Sequence, residues 1–213
     1  MKKNTGFGRN KTQLVEILRA KGIEGELLNA FELVDRKFFV PEHLSHLAYI
    51  DEPLSIGFDQ TISQPYTVAY MTKLLEVEAG ARVLEVGTGS GFQAAILYTL
   101  GAGVYTVERI KPLYEQATGR FNKLGYNIKT FWGDGTLGLP QYAPFDRIIV
   151  TAGTDKIPEN LLHQLADGGI MVIPVKNDYY LAMNKITKFS DDDFAIEKYG
   201  AFTFVPLLKG KSL

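Results

Sequence analysis

Glu85-Val86-Gly87-Thr88-Gly89-Ser90-Gly91 is the stretch on which the reading of this chain turns. It follows the short apolar run Ala81-Arg82-Val83-Leu84, suited to a buried parallel strand, and precedes residues 92–100, which read as a helix. A strand, a glycine-dense turn and a helix N-terminus form the recurring cradle for adenosine-type cofactors in open α/β sheets. Glycine permits the tight turn and lets a ligand approach where a Cβ would intrude. The spacing is G-x-G-x-G, with Phe92 where the dinucleotide fingerprint G-x-G-x-x-G needs its third glycine. A carboxylate, Glu85, stands two residues before the first glycine.

Outward from this loop, strands and helices alternate. Residues 104–107 form a second strand ending at Glu108, and Pro112 opens a helix with Leu113, Ala117, Phe121 and Leu124 on one face. Residues 128–132, 146–151 and 170–175 read as further strands, with a helix over 157–165 and a turn at Gly168-Gly169. Such alternation calls for a parallel sheet covered by helices on both faces. Residues 179–189 and 194–205 read instead as an antiparallel edge pair that turns at Asp191-Asp192-Asp193.

Before the loop, Thr12 reads as the cap of a helix through Lys21 that lines up Leu14, Val15 and Leu18. A second helix covers residues 26–34, and Pro41 disfavours helix at Val40. Residues 51–60 read as a loop or short ribbon leading into a helix with Val68, Met71 and Leu75 as one stripe. Ser63, two residues before Pro65, reads as the N-cap of that helix. The expected fold class is α/β: a doubly wound, Rossmann-like, mostly parallel sheet with antiparallel C-terminal edge strands and an N-terminal helical extension. One domain is expected over residues 1–213, with the extension at about 1–60, a cofactor-binding core at 61–175 and the last strands at 176–213.

The 213 residues carry 23 basic and 24 acidic side chains, a formal net charge of −1. That balance gives no global attraction to nucleic acid, and no nucleic-acid partner is expected. The chain has no cysteine, which excludes disulfides, thiolate nucleophiles and cysteine-ligated metals. His43 and His46 lie three apart without a third ligand at suitable spacing, so no metal site is expected; His163 reads as an ordinary helix residue. The start, Met1-Lys2-Lys3-Asn4-Thr5-Gly6, has no apolar core of a leader, and no apolar run approaches the ~20 residues of a membrane span. A cytoplasmic monomer with no membrane partner is the expectation.

In open parallel sheets, ligands bind beyond the carboxyl ends of the strands, where the strand order switches. Glu85 and the glycine loop end one strand there, and Glu108, 19 residues after Gly89, ends the next. A carboxylate at that position offers two oxygens to a ribose diol. Asp134 ends a third strand between Gly133 and Gly135, on a bare backbone that an adenine ring can approach. Acid at both Glu85 and Glu108 suits a cationic cofactor better than an anionic pyrophosphate. S-adenosylmethionine, a sulfonium that also carries an amino group, is therefore the expected cofactor, and S-adenosylhomocysteine its product.

These segments also carry a resemblance. Residues 85–91 look like motif I of class I methyltransferases. Asp35-Arg36-Lys37-Phe38-Phe39-Val40-Pro41-Glu42, Gln60-Thr61-Ile62-Ser63-Gln64-Pro65-Tyr66, Gly133-Asp134-Gly135 and Phe204-Val205-Pro206-Leu207 are more specific. In this order they resemble the protein-L-isoaspartate O-methyltransferase family, its bacterial form above all, from about residue 10 to the C-terminus. The resemblance implies methylation of isoaspartyl carboxyls in damaged proteins and peptides, giving an ester that cyclises to succinimide. It implies Ser63 as the active-site serine. The cofactor set it implies is Thr61, Ile62, Ser63, Glu85, Gly87, Thr88, Gly89, Ser90, Gly91, Glu108, Arg109, Asp134 and Gly135. Tyr66 stands where other members carry His, so it is assigned no essential proton transfer, and Ala152-Gly153-Thr154 departs from the Ala/Pro-rich form of bacterial members. The competing readings are a methyltransferase for RNA or a small molecule, a non-catalytic cofactor sensor, and a nicotinamide oxidoreductase. Near-neutral charge and the Thr61-Ile62-Ser63-Gln64-Pro65 segment weigh against RNA.

Overall fold

A computed structural model describes residues 10–213; the charged start, with Gly6 and Gly8, lies outside them. Helix α1 (Lys11–Ala20) begins with a reciprocal pair: the Asn10 side chain accepts from Gln13 N–H, and the Gln13 side chain accepts from Asn10 N–H. This capping box satisfies two donors that the helix start leaves open, so the cap is Asn10 and not Thr12. Helix α2 (Gly25–Leu33) buries Leu28, Ala30 and Phe31. Two 3-10 turns, Arg36–Phe39 and Glu42–Leu47, flank Pro41, with Val40 extended between them. Strands β1 (Leu54–Gly57) and β2 (Gln60–Ile62) form a separate antiparallel ribbon. Its tip carries Phe58 and Asp59 at φ of 55° and 56°. Helix α3 (Pro65–Leu75) follows directly.

The main sheet is laid down next: β3 (Arg82–Val86), α4 (Phe92–Thr99), β4 (Gly103–Glu108), α5 (Lys111–Leu124), β5 (Lys129–Trp132) and β6 (Phe145–Val150). After the one-and-a-half-turn α6 (Glu159–His163) come β7 (Leu165–Lys176), β8 (Leu181–Ser190) and β9 (Asp193–Phe202). The strand order is β5-β4-β3-β6-β7-β8-β9, parallel through β7 and antiparallel for the last two. The chain runs outward from β3 to β5, then returns to β6 on the other side of β3. The strand order therefore switches at β3, where the glycine loop leaves the sheet.

The expected helix over 157–165 is shorter, because Leu165 already pairs with Phe145 in β7. Gly168 and Gly169, expected as a turn before the strand, lie inside β7, where the register with β6 jumps from Phe145↔Leu165 to Arg147↔Ile170. The chain doubles on itself there: a Cβ on Gly169 would lie 2.7 Å from the Ala166 carbonyl oxygen. Only a glycine fits that bulge.

Apolar side chains fill both faces of the sheet. One face joins Leu18, Phe31, Phe39, Met71, Ile96 and Phe121, and the other joins Leu84, Val86, Phe145, Ile148, Leu161 and Met171. Each such side chain contributes roughly 1.5–3 kcal/mol when fully buried. Phe31 and Phe39 set their rings 5.8 and 5.5 Å from that of Phe92, the first residue of α4. The N-terminal extension is thus packed onto the helix that follows the glycine loop. Among the described residues no helix is long and apolar enough to cross a membrane.

Candidate active site

The loop after β3 turns through three glycines at positive φ: Gly87 at 97°, Gly89 at 50° and Gly91 at 87°. A Cβ on Gly87 would lie 2.5 Å from Thr151 Oγ1, and one on Gly91 would lie 2.6 Å from the Phe121 ring. Gly91 therefore lets α4 start against α5, and it does not line the cavity. The cavity wall next to β3 is Glu85 with Gly87, Thr88, Gly89 and Ser90. The ribbon supplies Thr61, Ile62 and Ser63, and the ends of β4 and β5 supply Glu108, Arg109 and Gly135. Residues 205–208 close the remaining side, held by Gly153, whose N–H donates to Val205 O at 2.8 Å and whose carbonyl accepts from Leu207 N at 2.6 Å. A Cβ on Gly153, in the divergent Ala152-Gly153-Thr154 segment, would meet the end of the Leu181 side chain at 2.6 Å.

Glu85 is fully buried. Burial pushes its carboxyl up to about 8; the Thr106 hydroxyl, donating to Oε2 at 2.5 Å, pulls it down, and the nearby Glu108 charge adds to the rise. Thr106 gives its single proton to Glu85, so the Thr88 hydroxyl, 2.6 Å away, is the donor to Thr106. This short relay fixes one carboxyl oxygen. The other, Oε1, is buried with no partner among the described residues. Gln93 repeats the pattern: its amide donates to Thr72 Oγ1 at 2.9 Å, and its Oε1 is buried and unpartnered. Both side chains line the same cavity. Two buried oxygens without a partner among the described residues suit a donor-rich cation, whose arrival displaces the Glu85 proton, because a buried acceptor left alone costs about 1–3 kcal/mol.

Glu108 holds the loop from the other side. Its Oε2 accepts from Gly89 N and its Oε1 from Ile110 N, each at 2.9 Å. A carboxylate has about four acceptor positions, so each oxygen retains capacity for a diol. Asp134 behaves differently from its sequence reading and is not part of the cavity wall. Its Oδ1 accepts from Thr136 N and Oγ1 at 2.9 and 2.7 Å, and its Oδ2 accepts from Gly210 N at 2.6 Å. Burial alone would raise its pKa, but those bonds and the Arg109 charge hold it below the usual carboxylate range. These donors fill three of its roughly four acceptor positions; Gly135 alone of that turn lines the cavity. Beside it, Trp132 Nε1 donates to Arg109 O at 3.0 Å, with the Lys111 and Lys211 ammonium groups 5.4 and 4.5 Å from the ring centroid.

Ser63 does not cap α3; the N-cap residue is Gln64, and Ser63 Oγ has no hydrogen-bond partner among the described residues. The Tyr66 N–H, which a Ser63 cap would have taken, donates to Asp51 Oδ1 at 2.8 Å instead. The serine hydroxyl therefore stands uncommitted on the cavity wall. His43 and His46 sit in the 3-10 turn and do not line that cavity, and among the described residues no three His, Cys, Asp or Glu side chains are grouped for a metal ion. Gln93 and Thr106 escaped the sequence reading. A glutamine inside the apolar run Phe92 to Leu97 was the available signal for the first; nothing marked the second, whose role depends on lying beside Glu85 across two strands.

A doubly wound sheet that gathers a glycine loop, a buried acid and a strand-end carboxylate around one cavity defines a class I methyltransferase. The particular family follows from comparison: residues 9–212 match the family model of Protein-L-isoaspartate(D-aspartate) O-methyltransferase, and the chain belongs to that family. It is similar to the protein-L-isoaspartate O-methyltransferase of Dictyoglomus thermophilum, 50% identical over 203 residues that cover 94% of this chain and 92% of that one. The corresponding protein of Christiangramia forsetii is 47% identical over 204 residues, 95% of each. Its fold matches a Plasmodium falciparum protein-L-isoaspartate O-methyltransferase, crystallised with S-adenosyl-L-homocysteine, at a TM-score of 0.84 and 26% identity, covering 95% of this chain and 100% of that one.

Proposed function

We propose that this chain transfers a methyl group from S-adenosylmethionine to the free carboxylate of L-isoaspartyl residues in damaged proteins and peptides. The observation that carries the reading is the shared cavity: buried unpartnered acceptors lie on one wall and an uncommitted serine hydroxyl on another. The residues present fit the cofactor. Glu85 Oε1 and Gln93 Oε1 are acceptors for an amino group and Glu108 for a ribose diol, beside the glycine loop that lines the same cavity. When bound, the cofactor supplies an electrophilic methyl group on a sulfonium.

The substrate needs no activation, since a carboxyl with a pKa of about 4 is already ionised at neutral pH. One carboxylate oxygen bonds to the methyl carbon as the carbon–sulfur bond breaks, and that electron pair stays on sulfur to leave a neutral thioether. Ser63 donates a hydrogen bond to the carboxylate and aims it, without attacking anything. Residues 205–208 and the ribbon line the cavity beside these groups. Orientation of this kind contributes on the order of 7–11 kcal/mol towards lowering a bimolecular barrier. The methyl ester then cyclises to succinimide in solution, because methoxide leaves more readily than oxide.

A cytoplasmic monomer completes the proposal, with light scattering on the purified protein and cell fractionation as its checks. The central test is radiolabelled methyl transfer to a pair of peptides that differ only in an isoaspartyl or normal aspartyl linkage. Label should enter the isoaspartyl peptide alone, as a base-labile ester. Equal labelling of both would point to another acceptor, and tight cofactor binding without ester would point to a sensor.

A further inference from the structure

Ser63 and Tyr66 are three residues apart, the spacing from an N-cap to the N–H that a capping hydroxyl takes. A serine there ordinarily engages its hydroxyl in ending the helix. In this chain another residue does so. Asp51, its side chain only 7% exposed, reaches in from the loop before β1 and accepts the Tyr66 N–H through Oδ1. Its Oδ2 pairs with Lys21 Nζ at 2.6 Å, at the C-cap of α1, and that ammonium lies 4.4 Å from the Tyr66 ring centroid. Its own carbonyl accepts from Gln64 Nε2 at 2.9 Å.

Arg36 sets Asp51 and Ser63 in one frame. Its buried guanidinium donates to Ala48 O at 2.8 Å and to Glu52 O and Ser63 O at 3.1 Å each. The carbonyls on either side of Asp51 and the carbonyl of Ser63 thus share one rigid donor. Burial pushes that guanidinium down to about 10, against the pull of Asp51.

We infer that Asp51 is a positioning residue for methyl transfer: by capping α3 from outside, it leaves the Ser63 hydroxyl available to the substrate carboxylate. Without Asp51 the Tyr66 N–H is orphaned, and Ser63 is the hydroxyl at the right spacing to capture it. The inference rests on the role proposed above for Ser63.

The test is a double-mutant cycle on turnover of an isoaspartyl peptide, with cofactor affinity read by titration calorimetry. S63A should lower kcat about ten-fold, as expected for one hydrogen bond to a charged group. D51A should lower kcat by a similar factor with cofactor affinity unchanged, and D51A/S63A should be no slower than S63A alone. D51N retains an oxygen for the Tyr66 N–H and should restore kcat. K21M, which removes the ion pair but leaves the cap, should turn over as the parent does. Multiplied losses in the double variant, an unaffected D51A, or a D51N as slow as D51A would overturn the inference. If D51A does not fold, D51L, which keeps the side-chain volume but offers the Tyr66 N–H no acceptor, replaces it in the cycle with the same expected loss. A parent protein that ignores the isoaspartyl peptide defeats the functional reading itself. A parent that methylates it, combined with multiplied losses, defeats only the coupling of Asp51 to Ser63.

Discussion

A fully buried carboxyl group whose one protein partner is a hydroxyl keeps its proton, and Glu85 is in that position. Its carboxyl is pushed up to about 8, chiefly by burial, well above the 4.5 of an exposed glutamate. A cation arriving beside Oε1 reverses the balance, so cofactor binding at pH 7 should release close to one proton from the protein. Calorimetric titrations in buffers of different ionisation enthalpy would read that proton, and E85Q should abolish it; an equal release from E85Q would exclude Glu85 as the source. The sign for folding runs the opposite way to a paired acid. The folded pKa exceeds the unfolded one, so the ligand-free protein should lose stability as pH rises from about 4.5 towards 8. At this scale the sequence was legible where a residue ends a strand beside a glycine, as Glu85 and Glu108 do. The bond that Gly210, 76 residues later, gives the Asp134 carboxylate was not legible, because nothing local announces it. Ser63 was misread as a cap because Asp51, its competitor for the Tyr66 N–H, comes from before the ribbon.

Helices and strands were legible wherever the apolar period was long and a glycine or proline closed it. The buried face of α5, Leu113, Ala117 and Phe121, is the face read from spacing, and Gly125 ends the helix in the left-handed conformation. Boundaries that depend on partners were not legible. Nothing local announces that Leu165 leaves its helix to pair with Phe145, or that Gly168-Gly169 is a bulge within a twelve-residue strand. The N-terminal helices raise a question of cooperativity. Leu14 and Leu18 of α1, Phe31 of α2 and Phe39 after it join the same buried cluster as Ile96 of α4 and Met183 of β8. We propose that helices and sheet form one folding unit across the described residues. Calorimetry should then show a single transition with equal calorimetric and van't Hoff enthalpies; a separate low-temperature step would make the extension an independent element.

Across the whole molecule, the cavity is assembled from parts remote in the chain: the ribbon near residue 62, the ends of β3 and β4, the turn at Gly135 and residues 205–208. The doubly wound architecture was readable because it needs only the order of elements. The closing segment was not, since Phe204 to Leu207 was recognisable by likeness but not by any periodicity. Its path brings Gly210 to Asp134 and to Arg109, whose Nε donates to Gly210 O at 3.2 Å, and sets Lys211 over Trp132. Trp132 is the only tryptophan in the chain. Its indole is bonded to the backbone of a cavity residue and flanked by two cations, both of which perturb its excited state. Occupancy of the cavity should therefore change the intensity and wavelength of ultraviolet emission, in proportion to bound cofactor and absent from W132F. Saturation without any change would show that the indole is insulated from the site. Otherwise the binding event has a colour of its own, and filling and emptying of the site can be followed in real time with no label attached.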